Sequence, residues 1–285
     1  MDQINFSAWE NRVETRTGGL SAQLAAMAQA TLGGGDRALG PGDVMPPLWH
    51  WFAFAPTTPT ADLGRDGHPP LGDFLPPVRL ERRMWAGGNL AFHAPLHVDE
   101  PLTRTSTIRK VTEKQGEAGP MVFVTVEHEI AGRNGRAITE RQDIVYLPIP
   151  DSYTPPRKIA AQGDTVLADK IDIPPTLLFR YSALTFNAHR IHYDLPYATQ
   201  VEHYPGLVVH GPLQATLLMD AATRFMRRAP DHFTFRGVHP MFAGHTMRIL
   251  AETMFQDRLV LCTAATDGNG GHQGMQATAW WEGEA

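Results

Sequence analysis

The chain has 285 residues, 42% of them hydrophobic and 19% charged, with Lys+Arg 25 against Asp+Glu 30 for a net charge of -5. That length allows one large domain or two small ones, and the composition excludes extended disorder and the basic stripe of a nucleic-acid binder. The single cysteine, Cys262, excludes an internal disulfide and every multi-cysteine zinc site.

No apolar run reaches the ~18 residues of a membrane span. The opening MDQINFSAWE has neither signal-peptide nor transit-peptide form, so a cytoplasmic location is expected. Residues 1–19 are polar and mixed. In LSAQLAAMAQATLGGG, Leu20, Leu24, Ala25, Met27 and Leu32 fall near helical spacing and Gly33-Gly34-Gly35 is a stop, which predicts a helix. Residues 41–78 read as loop, with recurrent Pro and Gly as in DGHPPLGDFLPP. Within it, PPLWHWFAF is either a core plug under a long loop or one wall of a substrate tunnel. From Leu90 the period changes to two. LTRTSTIRKV, MVFVTVEHEI and AITERQDIVYL alternate, and turn signals at EKQGEAG and GRNGR separate them, as in an antiparallel meander with one buried face. The Pro-rich residues 148–165 read as a linker.

The second half repeats the plan. TLLFRYSAL is read as a short strand, and GPLQATLLMDAATRFMRRA as an amphipathic helix with Leu213, Leu217, Ala221 and Met226 among its apolar positions. FTFRGVHPMF, TMRILAETMFQDRLVLCTAATD and GHQGMQATAWWE follow as alternating strands, broken at Asp257 and at DGNGG. Phe92 precedes Thr103 by the same eleven residues as Phe235 precedes Thr246. Two copies of one unit are expected, each a curved antiparallel sheet wrapping a long helix. That is an α+β double hotdog, with one hotdog over residues 1–150 and the other over 165–285.

The chemistry concentrates in Asn187-Ala188-His189-Arg190-Ile191-His192-Tyr193-Asp194, with His210-Gly211 eighteen residues after His192. Two histidines three apart suggest metal ligands, but no spacing supplies the third ligand that zinc needs, so no metal is expected. The residues also suit a plain role as loop braces and helix caps. General acid–base work fits better. The imidazole of His192 takes a proton from water at neutral pH, and Asn187 binds the same water or orients the ring. Gly211-Pro212 opens the long helix, so the Gly211 N–H and the positive helix end would hold a thioester oxygen as it gains enolate charge.

Asn187-x-His189-Arg190-Ile191-His192-x-Asp194, with His210-Gly211 downstream, resembles the hydratase 2 motif of the MaoC-like enoyl-CoA hydratases. That motif runs Asp-x-Asn-Pro-(Leu/Ile)-His-x-Asp and is followed by His-Gly. By this resemblance His192 stands on the catalytic His, Asn187 on the catalytic Asp and Gly211 on the oxyanion-hole glycine. Two departures are visible: Asn187 replaces the acid, and His189 replaces the motif's Asn. PPLWHWFAF, DGHPPLGDFLPP, RRMWAGG and RQDIVYL extend the likeness over residues 45–285. They are similar to the branch of type 2 hydroxyacyl-thioester dehydratases and bacterial mesaconyl-C4-CoA and itaconyl-CoA hydratases.

The resemblance implies one active site per chain, built by the second half, which adds water to an α,β-unsaturated acyl-CoA of mesaconyl-C4-CoA or itaconyl-CoA type. His189, Arg190, His210 and Arg180 are the expected substrate-binding residues. A substrate carboxylate needs a cation, and Arg65, Arg82, Arg83, Arg180, Arg190 and Arg236 are candidates, Arg190 first. No cofactor is expected beyond the CoA of the substrate, and neither a nucleic-acid nor a membrane partner. A homodimer is an option the hotdog architecture leaves open. Two other readings compete: a 3-hydroxyacyl-thioester dehydratase of fatty-acid synthesis, and a non-catalytic acyl-thioester binding protein.

Overall fold

The computed structural model describes every residue except 1–4, 36, 117–118, 162, 164, 253–254, 267–270 and 284–285. The expected turn at DGNGG therefore falls mostly outside the described residues. Ten strands are described: β1 (Val13–Gly18), β2 (Arg82–Phe92), β3 (Leu102–Gly116), β4 (Gly119–Gly132), β5 (Gly135–Leu147), β6 (Leu167–Asp172), β7 (His232–Gly237), β8 (Thr246–Ala251), β9 (Arg258–Ala265) and β10 (His272–Trp280). They form one antiparallel sheet in the order β1-β3-β4-β5-β2-β7-β10-β9-β8-β6. The five strands before residue 148 thus make one half of the sheet and the five after 166 the other. The halves meet where β2 pairs with β7, from Gly87 opposite Arg236 to Ala91 opposite His232. A Cβ on Gly88 would sit 2.8 Å from the Phe235 ring, so the seam closes only around a residue without a side chain.

Among the described residues four α-helices accompany the sheet: α1 (Ala22–Leu32), α2 (Pro175–Thr185), α3 (Leu195–Gln200) and α4 (Gly211–Met226). The helix expected from residue 20 is α1. Ser21 caps it by accepting from the Leu24 N–H, and it stops at Gly33, where φ is 79°. It buries only Ala25 and Ala28. The long helix α4 is different: Leu213 to Met219, Ala221 and Ala222 are all buried. A helix apolar nearly all round belongs inside a core, and here the second half of the sheet wraps it.

TLLFRYSAL is not a strand but α2. Pro174-Pro175 sets the helix start, and Leu178, Tyr181 and Ser182 are buried at helical spacing. The strand of that half lies earlier, at β6. β1 and β2 were not anticipated either, because polar residues and Gly87-Gly88 interrupt their alternation. The aromatic run is mostly core: Trp49, Phe52 and Phe54 are buried, while Trp51 meets Trp85 at 4.9 Å and Phe235 at 6.0 Å across the seam. Among the described residues, no helix is long and apolar enough to cross a membrane.

Candidate active site at the seam of the two halves

The motif joins two helices rather than a strand and a helix. Helix α2 ends at Phe186 in the left-handed region, φ 49°. The Asn187 side-chain oxygen then accepts from the His189 N–H at 3.0 Å, which turns the chain sharply. One tight helical turn over Arg190–His192 follows. Asp194 caps α3 by accepting from the Tyr197 N–H.

His192 is buried, and its Nδ1 lies 2.8 Å from the Val208 carbonyl oxygen. A carbonyl only accepts, so Nδ1 carries the proton and Nε2 keeps its lone pair. Burial, then the neighbouring His210 and His189 rings, hold the His192 pKa well below the ordinary histidine value. The ring is therefore neutral at physiological pH. His210 stacks on it with ring centres 3.6 Å apart, and the His210 Nε2 is 2.8 Å from Ser182 Oγ of α2. Burial pushes the His210 pKa down to about 3.

Gly211 follows as the first residue of α4, and its N–H has no hydrogen-bond partner among the described residues. A Cβ there would lie 3.8 Å from Met275 Cε and from the Trp85 carbonyl oxygen, which is ordinary contact. The protein's own packing thus does not require glycine here.

The first half contributes to the site as well. The loop carrying Asp66-Gly67-His68 presses on the motif: the Asp66 carbonyl accepts from the Arg190 N–H at 2.9 Å. A Cβ on Gly67, whose φ is 88°, would run into the Ala188 carbonyl. The His68 Nδ1 lies 2.7 Å from Asp66 Oδ2, and its ring centre is 4.2 Å from that of His189, itself 5.3 Å from His192. Four imidazoles thus line up across the seam: His68, His189, His192 and His210. Burial and the Arg83 charge push His68 down to about 3. Burial alone would raise the Asp66 carboxyl, but hydrogen bonds from His68 overcome it and hold the group below the usual carboxylate range. Glu202 is 1% exposed. It accepts from Arg82 Nε at 3.2 Å and stands 3.4 Å from the His189 Nε2.

Two expected substrate contacts change role. Arg190 is not a free clamp: its Nε and a terminal nitrogen donate to Asp194 Oδ2 at 2.9 and 2.7 Å, and it covers the Tyr197 ring at 4.2 Å. Arg180 is exposed and donates to the Ala30 carbonyl at 3.2 Å, tying α2 to α1 outside the histidine row. His189 and His210 do reach the site. The Asn187 side-chain oxygen is committed to the His189 N–H, which leaves its amide NH₂ to offer. Asp66, His68 and Glu202 went unseen. The Asp-x-His pair in a Pro-stiffened loop was a usable signal, whereas Glu202 gave none.

Ligand atoms of Asp66, His68 and His189 all lie within 4.8 Å of one another, the geometry of three metal ligands. A cation there would have to break the Asp66–His68 hydrogen bond and sit in the field of Arg83. The donor set therefore fits a metal poorly.

The family model for hydroxyacyl-thioester dehydratase type 2 matches residues 48–243. The chain is 43% identical to a mesaconyl-C(4)-CoA hydratase from Chloroflexus aurantiacus, over 94% of this chain and 96% of that one. It is 30% identical to a mitochondrial hydroxyacyl-thioester dehydratase type 2 from Schizosaccharomyces pombe, over 73% and 78% of the two chains. In fold it matches a MaoC-like dehydratase at TM-score 0.66 and 14% identity, covering 97% of this chain and 100% of the other. A Mycobacterium tuberculosis protein described as a double hotdog matches at TM-score 0.62 and 15% identity, covering 95% of each chain.

Proposed function

The chain belongs to the hydroxyacyl-thioester dehydratase type 2 family, a family of hydro-lyases, and on that premise we propose that it adds water to an α,β-unsaturated acyl-CoA of the mesaconyl-C4-CoA type. The observation that carries the reading is the pairing of one neutral base with one free donor: His192 with its Nε2 open, and the unpartnered Gly211 N–H next to the ring that stacks on it.

In the proposed reaction His192 Nε2 takes a proton from water while the water oxygen bonds to the β-carbon. The π electrons move onto the thioester oxygen, where the Gly211 N–H and the N-terminal end of α4 stabilise the enolate. His192 then returns the proton to the α-carbon, and the thioester carbonyl re-forms. One group both takes and gives the proton, so both additions occur on one face of the double bond. Asn187 cannot accept a proton. Its role is to hold the turn that aims His192, with its NH₂ left for the substrate. The mesaconyl-type acyl group is supported by the identity to the Chloroflexus enzyme.

The test is to mix the protein with mesaconyl-C4-CoA and with crotonyl-CoA and follow the enoyl-thioester absorbance. Hydration removes the conjugated chromophore without releasing thiol. An unchanged chromophore with bound ligand would leave a binding protein, and free thiol would make it a thioesterase; either result overturns the reading.

A further inference from the structure

Of the six arginines considered as carboxylate clamps, five are occupied. Arg65 lies 3.8 Å from Glu81, Arg82 bonds Glu202, Arg180 bonds the Ala30 carbonyl, Arg190 bonds Asp194 and Arg236 bonds Gln276 Oε1. Arg83 is half-buried, and among the described residues its side chain has neither an ion pair nor a hydrogen bond. The register of β2 with β5 places it directly opposite Tyr146. Tyr146 is 0% exposed, and its hydroxyl is buried without a partner. The Tyr146 phenol has lost water without gaining a bond, whereas the Arg83 guanidinium stays open to solvent and so is free to meet an anion.

Both residues line a cavity of about 290 Å³. Its other walls include Asp66, His68, Arg79 and Tyr197. Three arginines, Arg65, Arg79 and Arg83, outnumber the two acids of the lining, Asp66 and Glu81, so the cavity carries net positive charge. His68 is the wall it shares with the imidazole row, two rings from His192.

We propose that this cavity is the subsite for the free carboxylate of a dicarboxylic acyl chain. The Arg83 guanidinium grips the carboxylate through paired charge-assisted hydrogen bonds. The proposal rests on the hydratase reading above and adds to it the residues that choose the acyl group. It also assigns specificity to the first half, which carries none of the proton chemistry.

The experiment compares kcat/KM for mesaconyl-C4-CoA and crotonyl-CoA in the unmodified protein, Arg83→Met and Tyr146→Phe. A charge-assisted bond is worth about 10- to 150-fold. Arg83→Met is expected to lose that factor on mesaconyl-C4-CoA and to change crotonyl-CoA turnover by less than about threefold. Tyr146→Phe removes a hydroxyl that the cavity does not reach, and it should keep both substrates within about twofold of the parent. Its melting temperature should not fall, because the deleted hydroxyl has no partner in the unliganded fold. Equal losses on both substrates would mean that Arg83 serves the CoA moiety or the fold, and would overturn the proposal. Hydration of crotonyl-CoA without any preference for the dicarboxylic substrate would also overturn it, while leaving the hydratase reading intact. If no enoyl-CoA is hydrated, that reading falls instead. The cavity is then judged by calorimetry with free mesaconate, which should bind the unmodified protein at least tenfold tighter than Arg83→Met; equal binding would dispose of the subsite.

Discussion

The two halves share a plan and have diverged in opposite directions. In the first, the meander strands β3, β4 and β5 run 15, 14 and 13 residues, while its helix is 11 residues long and buries two alanines. In the second, β8, β9 and β10 run only 6, 8 and 9 residues, but α4 has 16, nine of them buried. A long, buried helix gives a fixed N-terminus, and that is where Gly211 and the stacked His210 stand. The first half has no equivalent end to offer. It supplies surface instead: a long sheet, and the 64–80 loop that lays Asp66 and His68 on the second half's motif and whose Val78 covers Ile108, Val122 and Tyr146.

The largest effect should come from the second half's base. His192→Ala is expected to lower kcat/KM by about 10²–10⁴-fold, the usual contribution of a positioned acid–base group. Steady-state kinetics read it, with circular dichroism to confirm that the fold persists. A variant within threefold of the parent would remove His192 from the chemistry. Gly211→Val should lower kcat by roughly 10²–10³-fold, because its branched side chain crowds the donor N–H. Met275 Cε and the Trp85 oxygen stand 3.8 Å from a Cβ at that site, so the fold should tolerate the change. A rise in KM at unchanged kcat would show that Gly211 only makes room for substrate.

Between the halves, Arg82→Met tests the seam. Arg82 is 11% and Glu202 1% exposed, so the substitution strands a buried carboxylate beside His189. Breaking such a pair costs about 3–5 kcal/mol, which urea denaturation would read as a lower midpoint. Arg82→Met together with Glu202→Leu should recover part of the loss, since no charge is then left unpaired. If the single variant is as stable as the parent, the seam is not held by this pair.

Much of the plan was legible without coordinates. Ser21 and Gly33 bound α1 as cap and stop, β3 to β5 follow their alternation, and the spacing of His192, His210 and Gly211 marks the site. What was hidden is non-local or ambiguous. TLLFRYSAL satisfies a strand pattern over nine residues, and only Pro174-Pro175 argues for a helix start. Gly87-Gly88 breaks the alternation of β2 because Phe235 of the other half needs that space. Arg82 and Glu202 are 120 residues apart, and they meet only because β2 pairs with β7. Arg83 could not be singled out among the arginines until the partners of the other five were known.

The imidazole row also links the comparison to pH. His68 of the first half is half-buried and His210 of the second is buried, and both are pushed down to about 3. In the unfolded chain both titrate near 6.5. Between those values the unfolded state binds more protons, so stability is fully present above about pH 6.5 and is lost as pH falls. At pH 5 each histidine withdraws about 2 kcal/mol, which thermal melts at pH 7 and pH 5 would show as a drop. His68→Asn should flatten part of that slope, and so should His210→Asn. An equal pH 7-to-5 drop in either variant and the parent would mean that its histidine is already charged in the fold. Catalysis follows the same sign: with the His192 pKa held below its ordinary value, kcat/KM should stay level as pH falls through 6.5 and decline only beyond it.

The smallest effect is expected at Arg190, the motif arginine that the sequence favours as a clamp. Its side chain is 37% exposed and that of Asp194 24%, so their bond is largely screened by solvent. Arg190→Met should cost about 0.5–1 kcal/mol, most of it from freeing Asp194 at the start of α3 and uncovering the Tyr197 ring. Asp194 keeps its hydrogen bond from the Tyr197 N–H, so the cap survives. Because Arg190 then acts only through the shape of the loop, mesaconyl-C4-CoA and crotonyl-CoA turnover should fall together, by less than about fivefold. A loss confined to the dicarboxylic substrate would return the clamp to the second half. It would also end the division in which the first half chooses the acyl group and the second half performs the chemistry.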